Sequence, residues 1–292
     1  MSKKRFALVE GTEKLQFFGA TIDLMRCLQR KMYYLLSFHC KLGSHGKSNR
    51  LFQWRPLVLG VSFLLSVLVF VPLFFLTEMH KPYSFVLYDK QGILLGASVS
   101  DDGQWRFPPN EVPEQFEKAL ICFEDKRFYT HFGVDPFAIM RAMVSNIQEK
   151  RIVSGASTLT MQTVRLLQNN PPRTFLQKIK EAFLAVLFEV RYTKKQILSL
   201  YAANAPFGGN VVGIEAASWR YFNRPPDSLS WAETAMLAVL PNRPSDVHPG
   251  ANRDLLLERR NDLLYAMCKN GIISNETFEY KMEDSNEYMG EF

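Results

Sequence analysis

The chain has 292 residues and a formal net charge of +6, long enough to bury a sizeable core as one large domain or two small ones. The charge is confined to one end: residues 1–55 hold 11 Lys/Arg against 3 Asp/Glu, whereas the remaining 237 residues hold 24 against 26. That distribution excludes the footprint of a nucleic-acid surface spread over a fold, and no nucleic-acid partner is expected.

The basic leader, residues 1–55, contains apolar patches such as MYYLLSF (32–38). Two readings stand for it, a basic amphipathic segment lying on a membrane and a solvated tail. PLVLGVSFLLSVLVFVPLFFL, residues 56–76, follows as 21 residues without a charge. As a helix it reaches about 31 Å, the hydrocarbon thickness of a bilayer. Its length argues against a buried core helix. The long basic leader and the lack of a small-residue cleavage pattern argue against a signal peptide. A single transmembrane helix is expected, with Pro72 near its outer end, where a kink is tolerable. Arg50 and Arg55 immediately precede it, with Lys41 and Lys47 further back. The positive-inside rule then places the N-terminus in the cytoplasm and residues 77–292 outside it. Cys27 and Cys40 fall on the inner side, Cys122 and Cys268 on the outer. The outer two are candidates for pairing, but each lies in a helix-like stretch, and the favoured reading is two buried free thiols.

SFVLYDKQGILLG (84–96) reads as two short strands about a turn ending at Gly92, a β-hairpin within a linker at 77–110. From 111 to 272 the pattern is mainly α, and its start signals are specific. Asp135 before Pro136 is an N-cap followed by proline at the first helical position. Thr174 and Thr193 precede helical runs, and Ser230 with Glu233 spells a capping box. Asn252 opens a last long helix that Gly271 can end. Residues 273–292 form a C-terminal tail whose end, EDSNEYMGEF, is acidic.

Three stretches can carry chemistry. In EQFEKALICFEDKRFY, Phe116, Leu120 and Phe123 recur at helical spacing, so Glu124 sits beside an inward face. Lost solvation there suits a carboxyl to proton transfer. The competing reading is a surface Glu answering Lys126 or Arg127. A metal site with His131 is weaker, because no further ligand clusters nearby. His131 reads equally as a structural group at the Gly133 turn. SGASTLTMQTVR (154–165) offers a helix N-terminus with Ser157 and Thr158, either a phosphate seat or a plain cap, with Gln162 and Arg165 following on the same helix. In TFLQKIKEAFLAVLFEVRY (174–192), Gln177, Lys178 and Glu181 share one helix face. Glu181 then reads as a functional acid or as half of an exposed Lys–Glu pair, and Glu189 as structural.

Taken together, these stretches resemble the peptidoglycan glycosyltransferases of glycosyltransferase family 51, the first catalytic domain of class A penicillin-binding proteins. Glu124, Asp125, Phe128, His131, Gly133 and Asp135 match the first family motif; Gly155, Ser157, Thr158, Thr160 and Gln162 match the second; Lys178, Glu181, Ala185 and Glu189 match the third. LSLYAANAPFGGNVVGIEAAS, LSWAETAMLAVLPNRPSDVHPG and RRNDLLYAM continue the pattern, so the resemblance runs from about 84 to 270.

The resemblance implies a lysozyme-like helical fold that polymerises lipid II into glycan strands and releases undecaprenyl pyrophosphate. By this resemblance Glu124 is the base and Glu181 the second acid, assisting pyrophosphate departure directly or through a divalent cation, Mg or Mn. Asp125, Phe128 and His131 shape the site of the base. Ser157, Thr158, Gln162, Arg165 and Lys178 line the donor. The implied setting is the bacterial inner membrane with a periplasmic catalytic domain. Lipid II, the growing glycan strand and the cytoplasmic membrane are the implied partners, with other cell-wall synthesis proteins as further candidates. PFAIMRAMVSNI (136–147) corresponds to the family's helical jaw, expected to dip into the membrane interface. Three positions depart from the pattern: Gln177 replaces an arginine, Arg165 a lysine, and Met161 a commonly polar residue. SHGK (44–47) has the spelling of a transpeptidase nucleophile motif but lacks the accompanying elements. The expectation is a stand-alone glycosyltransferase or a remnant of a longer protein, without penicillin binding. A lysozyme-like lytic enzyme and a non-catalytic membrane scaffold are the alternatives.

Overall fold

The computed structural model describes residues 60–61, 81–151, 155–242 and 252–278. The chain divides into two compact units, Met1–Pro72 and Leu73–Phe292, and every described residue except Gly60 and Val61 belongs to the second. The expected leader at 1–55 lies outside the described residues, as does the expected span at 56–76 apart from Gly60 and Val61, which are helical. Among the described residues no helix is long and apolar enough to cross a membrane.

The expected hairpin forms. β1 (Val86–Tyr88) pairs antiparallel with β2 (Leu94–Ala97). Its turn is held by the Asp89 carboxylate, which accepts from the Gln91 and Ile93 amides at 2.8 Å each. A second pair, β3 (Trp105–Arg106) parallel to β4 (Val211–Val212), lies outside the expectation, since two-residue strands carry no readable alternation.

Eight α-helices follow among the described residues: α1 (Glu114–Glu124), α2 (Pro136–Gln148), α3 (Leu159–Leu167), α4 (Phe175–Arg191), α5 (Lys194–Asn204), α6 (Ile214–Phe222), α7 (Trp231–Val239) and α8 (Arg253–Lys269). Most begin where a side chain meets an amide the helix cannot satisfy itself. Asp135 accepts from the Phe137 and Ala138 amides, Thr174 from Gln177, and Thr193 with Gln196 and Ser230 with Glu233 close full capping boxes. Asn252 opens α8 differently, from a left-handed backbone (φ 56°) and with no side-chain cap bond. Gly271 ends α8 at φ +70°, its amide bonding the Cys268 carbonyl at 2.9 Å. Cys122 and Cys268 are both free thiols, but Cys268 is only partly buried. Its position on the last turn of α8 leaves it beside Asn275, whose Oδ1 is 2.8 Å from its sulfur.

The core is organised about α7. Thr234 to Val239 are all buried, as expected of a helix that is apolar all round and enclosed by its neighbours. α7 packs on α1 and α8, with α6 alongside, while α3 packs on α4 and α5. The C-terminus of α1 faces the junction of these two groups and carries Glu124.

Gly133 fixes how the chain passes between them. It adopts φ +79°, and a Cβ there would meet the Ala185 carbonyl atoms of α4 at 2.7 Å. Backbone cannot yield as a flexible side chain can. Gly133→Ala therefore combines a left-handed backbone with overpacking and is expected to cost about 3 kcal/mol, read as a lowered midpoint in denaturant unfolding.

Candidate active site

Glu124 is the last residue of α1. The inward face expected for this helix is present in part: Phe116 and Leu120 are fully buried together with Ala119, whereas Phe123 is only half-buried. The surface-pair reading is not met: Arg127 bonds Asp135 instead (Nε to Oδ2, 3.0 Å), and Lys126 is exposed, with no ion pair to Glu124 among the described residues. Glu124 is half-buried and held by two amides: Gln162 Nε2 donates to Oε2 at 2.8 Å and Asn242 Nδ2 to Oε1 at 3.3 Å. Burial pushes its carboxyl above the ordinary carboxylate range, opposed by those two hydrogen bonds; the Asp125 charge adds to the rise and Arg173 reduces it.

Asp125 caps α1 and is buried. Its Oδ2 accepts from the Leu159 amide at 3.0 Å, and both oxygens lie 3.0–3.1 Å from His131 Nε2. His131 is thus a structural group, bonded to Asp125 rather than to the turn at Gly133. Its Nδ1 is buried without a partner among the described residues. Phe128 is fully buried, edge-on to His131 at 6.4 Å, with Lys194 Nζ 4.4 Å above its ring.

At the N-terminus of α3 the cap reading prevails over the phosphate seat. Thr158 accepts from the Met161 amide and donates to the Gly133 carbonyl at 2.6 Å, and Asp125 occupies the Leu159 amide. The positive end of the helix is already met by a carboxylate of the chain itself. Ser157 is exposed beside it. Gln162, expected among the donor contacts, faces Glu124. Thr160 bonds Glu189, which also receives Lys194 at 2.7 Å, so Glu189 is structural as expected.

Glu181 lies on α4, 5% exposed. Its hydrogen-bond donor is Gln177 (Nε2 to Oε1, 3.2 Å), not Lys178, which is exposed. Gln177 also donates to Gln168 Oε1 at 2.9 Å. Both hydrogens of its amide are therefore committed, which ties the end of α3 to Glu181. Arg165, two-thirds along α3, donates to the Pro171 carbonyl at 2.9 Å and feels the charges of Arg173 and Glu181.

The structure thus brings Glu124, Asp125, His131, Thr158 and Gln162 into one bonded cluster, and Arg165, Gln177 and Glu181 into a neighbouring one. Arg173 is exposed and acts on both Glu124 and Arg165. It was missed because it stands alone between PP and TF with no helical phase. Asn242 and Tyr201 were also missed. The Tyr201 hydroxyl is buried with no partner among the described residues and feels the Glu124 charge. The arrangement supplies an elevated carboxyl, a second buried acid, and cationic groups at Arg165 and Arg173. That set fits proton removal from one reactant and charge stabilisation of another.

Residues 95–268 match the family model described as Transglycosylase. The chain is 40% identical to penicillin-binding protein 1C of Escherichia coli (strain K12) over 201 residues, covering 68% of this chain and 26% of that protein. It is 34% identical to penicillin-binding protein 1A of Aquifex aeolicus (strain VF5) over 238 residues, covering 77% and 33%. A crystal structure of penicillin-binding protein 1A from Haemophilus influenzae matches at 20% identity and a TM-score of 0.38, covering 69% of this chain and 20% of that one. The chain spans a quarter to a third of the length of the curated relatives it matches. It belongs to the transglycosylase family.

Proposed function

We propose that the domain is a membrane-anchored peptidoglycan glycosyltransferase, joining lipid II units into glycan with release of undecaprenyl pyrophosphate. The carrying observation is Glu124: a carboxyl pushed up by burial, oriented by two amides, with Arg173 within electrostatic reach. In the reaction the acceptor's 4-hydroxyl loses its proton to Glu124, and the freed electron pair forms the bond to the anomeric carbon. The bond from that carbon to the pyrophosphate breaks on the opposite face, and the leaving group departs with its electron pair. Arg165, Arg173 and Lys178 stabilise the charge that develops on it. Glu181, aligned by Gln177, faces that group as the second acid. Ser157 is exposed beside the α3 N-terminus for a polar donor contact. Asp125, His131, Phe128 and Thr158 hold the frame in which Glu124 is presented.

A divalent cation would meet one buried carboxylate here, Glu181. Among the described residues no group of three or more His, Cys, Asp or Glu side chains could hold a metal.

Contact with a bilayer is supported by two exposed apolar faces as well as by the uncharged run at 56–76. On α2 only Ala142 is buried, and Phe137 (69%), Met140 and Ile147 (76%) stand in solvent. On α4, Phe175, Leu176, Ile179 and Val190 do the same. Faces of this extent mark an interaction surface, and a polyprenyl-linked substrate is met at a bilayer surface. The proposed setting is the inner membrane, with the domain on its periplasmic side.

The test supplies labelled lipid II in detergent to the full chain, with and without a divalent cation, and supplies preformed wall in parallel. Long glycan product, blocked by moenomycin as a mimic of the lipid-linked donor, is the expected result. Cleavage of preformed wall would replace this reading with a lytic one, and no product in either format would leave a scaffold.

A further inference from the structure

The two oxygens of Glu124 are held unequally. Oε2 receives the Gln162 amide at 2.8 Å from a helix whose residues on either side are buried. Oε1 receives Asn242 at 3.3 Å, from an exposed side chain just beyond α7. An amide nitrogen only donates, so each bond persists only while its oxygen is an acceptor. When Glu124 takes up a proton, the oxygen that takes it becomes a donor, and its amide must turn its carbonyl inward or let go. Such a turn is easier for the long contact of the exposed Asn242 than for the shorter contact of the half-buried Gln162.

We propose that Asn242 is a positioning residue for the base, holding Oε1 as the oxygen that receives the acceptor's proton while Gln162 keeps Oε2 an acceptor throughout. This rests on the glycosyltransferase reading of Glu124. The acceptor O–H bond breaks and its proton passes to Oε1. The electron pair left on the acceptor oxygen forms the new bond to the anomeric carbon as the pyrophosphate departs with its own pair. Asn242 turns so that Oδ1 accepts the new O–H. The proton then leaves to water on the exposed side, and Nδ2 returns to Oε1.

The groups facing Glu124 are consistent with a tuning role. Besides the two amides these are Asp125 at the end of α1, Arg173 ahead of α4 and the Tyr201 phenol from α5. Among the described residues, no charge from α7 or α8, which pack on α1, acts on Glu124. The single charged residue of α7, Glu233, is committed at the first turn to Ser230 and Arg224. Losing Asn242 removes a donor that favours the ionised carboxylate, so the group should ionise at higher pH.

The experiment compares wild type, Asn242→Ala and Asn242→Asp as full chains in detergent. The kcat/KM of glycan synthesis is followed against pH. The Glu124 carboxyl is titrated in parallel by ¹³C NMR, its signal assigned by its loss in Glu124→Gln and separated from Glu215, which burial pushes up to about 7. In Asn242→Ala the acid limb and the NMR midpoint should both rise by about 0.5–1 pH unit, a three- to tenfold loss of activity below the limb. Asn242→Asp should move both further, because it places a like charge at Oε1. A limb and midpoint unmoved in Asn242→Ala, with Glu124→Gln inactive, overturn the proposal and leave the glycosyltransferase reading intact. A midpoint that rises in a protein without polymerising activity supports the contact and sinks that reading.

Discussion

Glu124→Gln is expected to lower glycan synthesis by about two to four orders of magnitude, the usual worth of a positioned general base, while leaving the fold intact. The substitution is nearly isosteric, and its new amide can be accommodated locally. The exposed Asn242 can turn its carbonyl to accept from it, while Gln162 keeps donating to the remaining oxygen. Stability should move in the opposite direction to activity. Burial raises the folded-state ionisation of Glu124, so between its unfolded value, about 4.5, and its folded one the native state binds more protons than the unfolded state. In that window stability falls as pH rises, and above the folded value the penalty is fully present. A neutral glutamine lacks it. Thermal melts should therefore show Glu124→Gln at least as stable as wild type at neutral pH, with the difference vanishing below about pH 4.5. A variant that loses activity and melts lower at neutral pH would mark Glu124 as a structural carboxylate instead.

How much of this was legible follows the distance over which each contact is made. Caps are local, and Asp135, Thr174, Thr193 and Ser230 with Glu233 start their helices as their neighbours in sequence dictate. The hairpin was legible for the same reason, and so was the inward face of α1 beside Glu124. What closes around that carboxyl comes from elsewhere. Gln162 is 38 residues away and Asn242 is 118, and neither distance leaves a pattern in the chain. The α3 N-terminus shows the limit most directly. A Ser/Thr start spells an open anion seat just as well as a filled one, and the choice depends on Asp125 arriving from 34 residues upstream. Gln177 was legible as the missing arginine but not as the bridge between Gln168 and Glu181. Only the packing of α3 on α4 brings Gln168 within 2.9 Å of its amide.

That arrival makes Asp125 the position where a single change should cost the fold most. Asp125→Ala is expected to destabilise the protein by about 3–5 kcal/mol, lowering the melting temperature by roughly 10 °C. Two losses combine. The Leu159 amide and His131 Nε2 lose their partner in a region where water does not replace it, since both side chains of the Asp125–His131 pair are about 5% exposed. The α3 N-terminus loses the anion that complements its dipole. His131 Nδ1 is already without a partner among the described residues, so the ring would then have none on either nitrogen. Asp125→Asn separates these effects, because its carbonyl can still accept from Leu159 and its amide can still donate to a neutral His131. It should retain most of the stability, with a cost of about 1 kcal/mol for the lost charge at the helix end. The same variant removes the negative charge that helps to hold the Glu124 carboxyl high. The acid limb of its activity should therefore shift to lower pH, opposite to the shift expected on losing Asn242. Equal destabilisation by alanine and asparagine would show that the charge of Asp125, not its hydrogen bonds, joins α1 to α3.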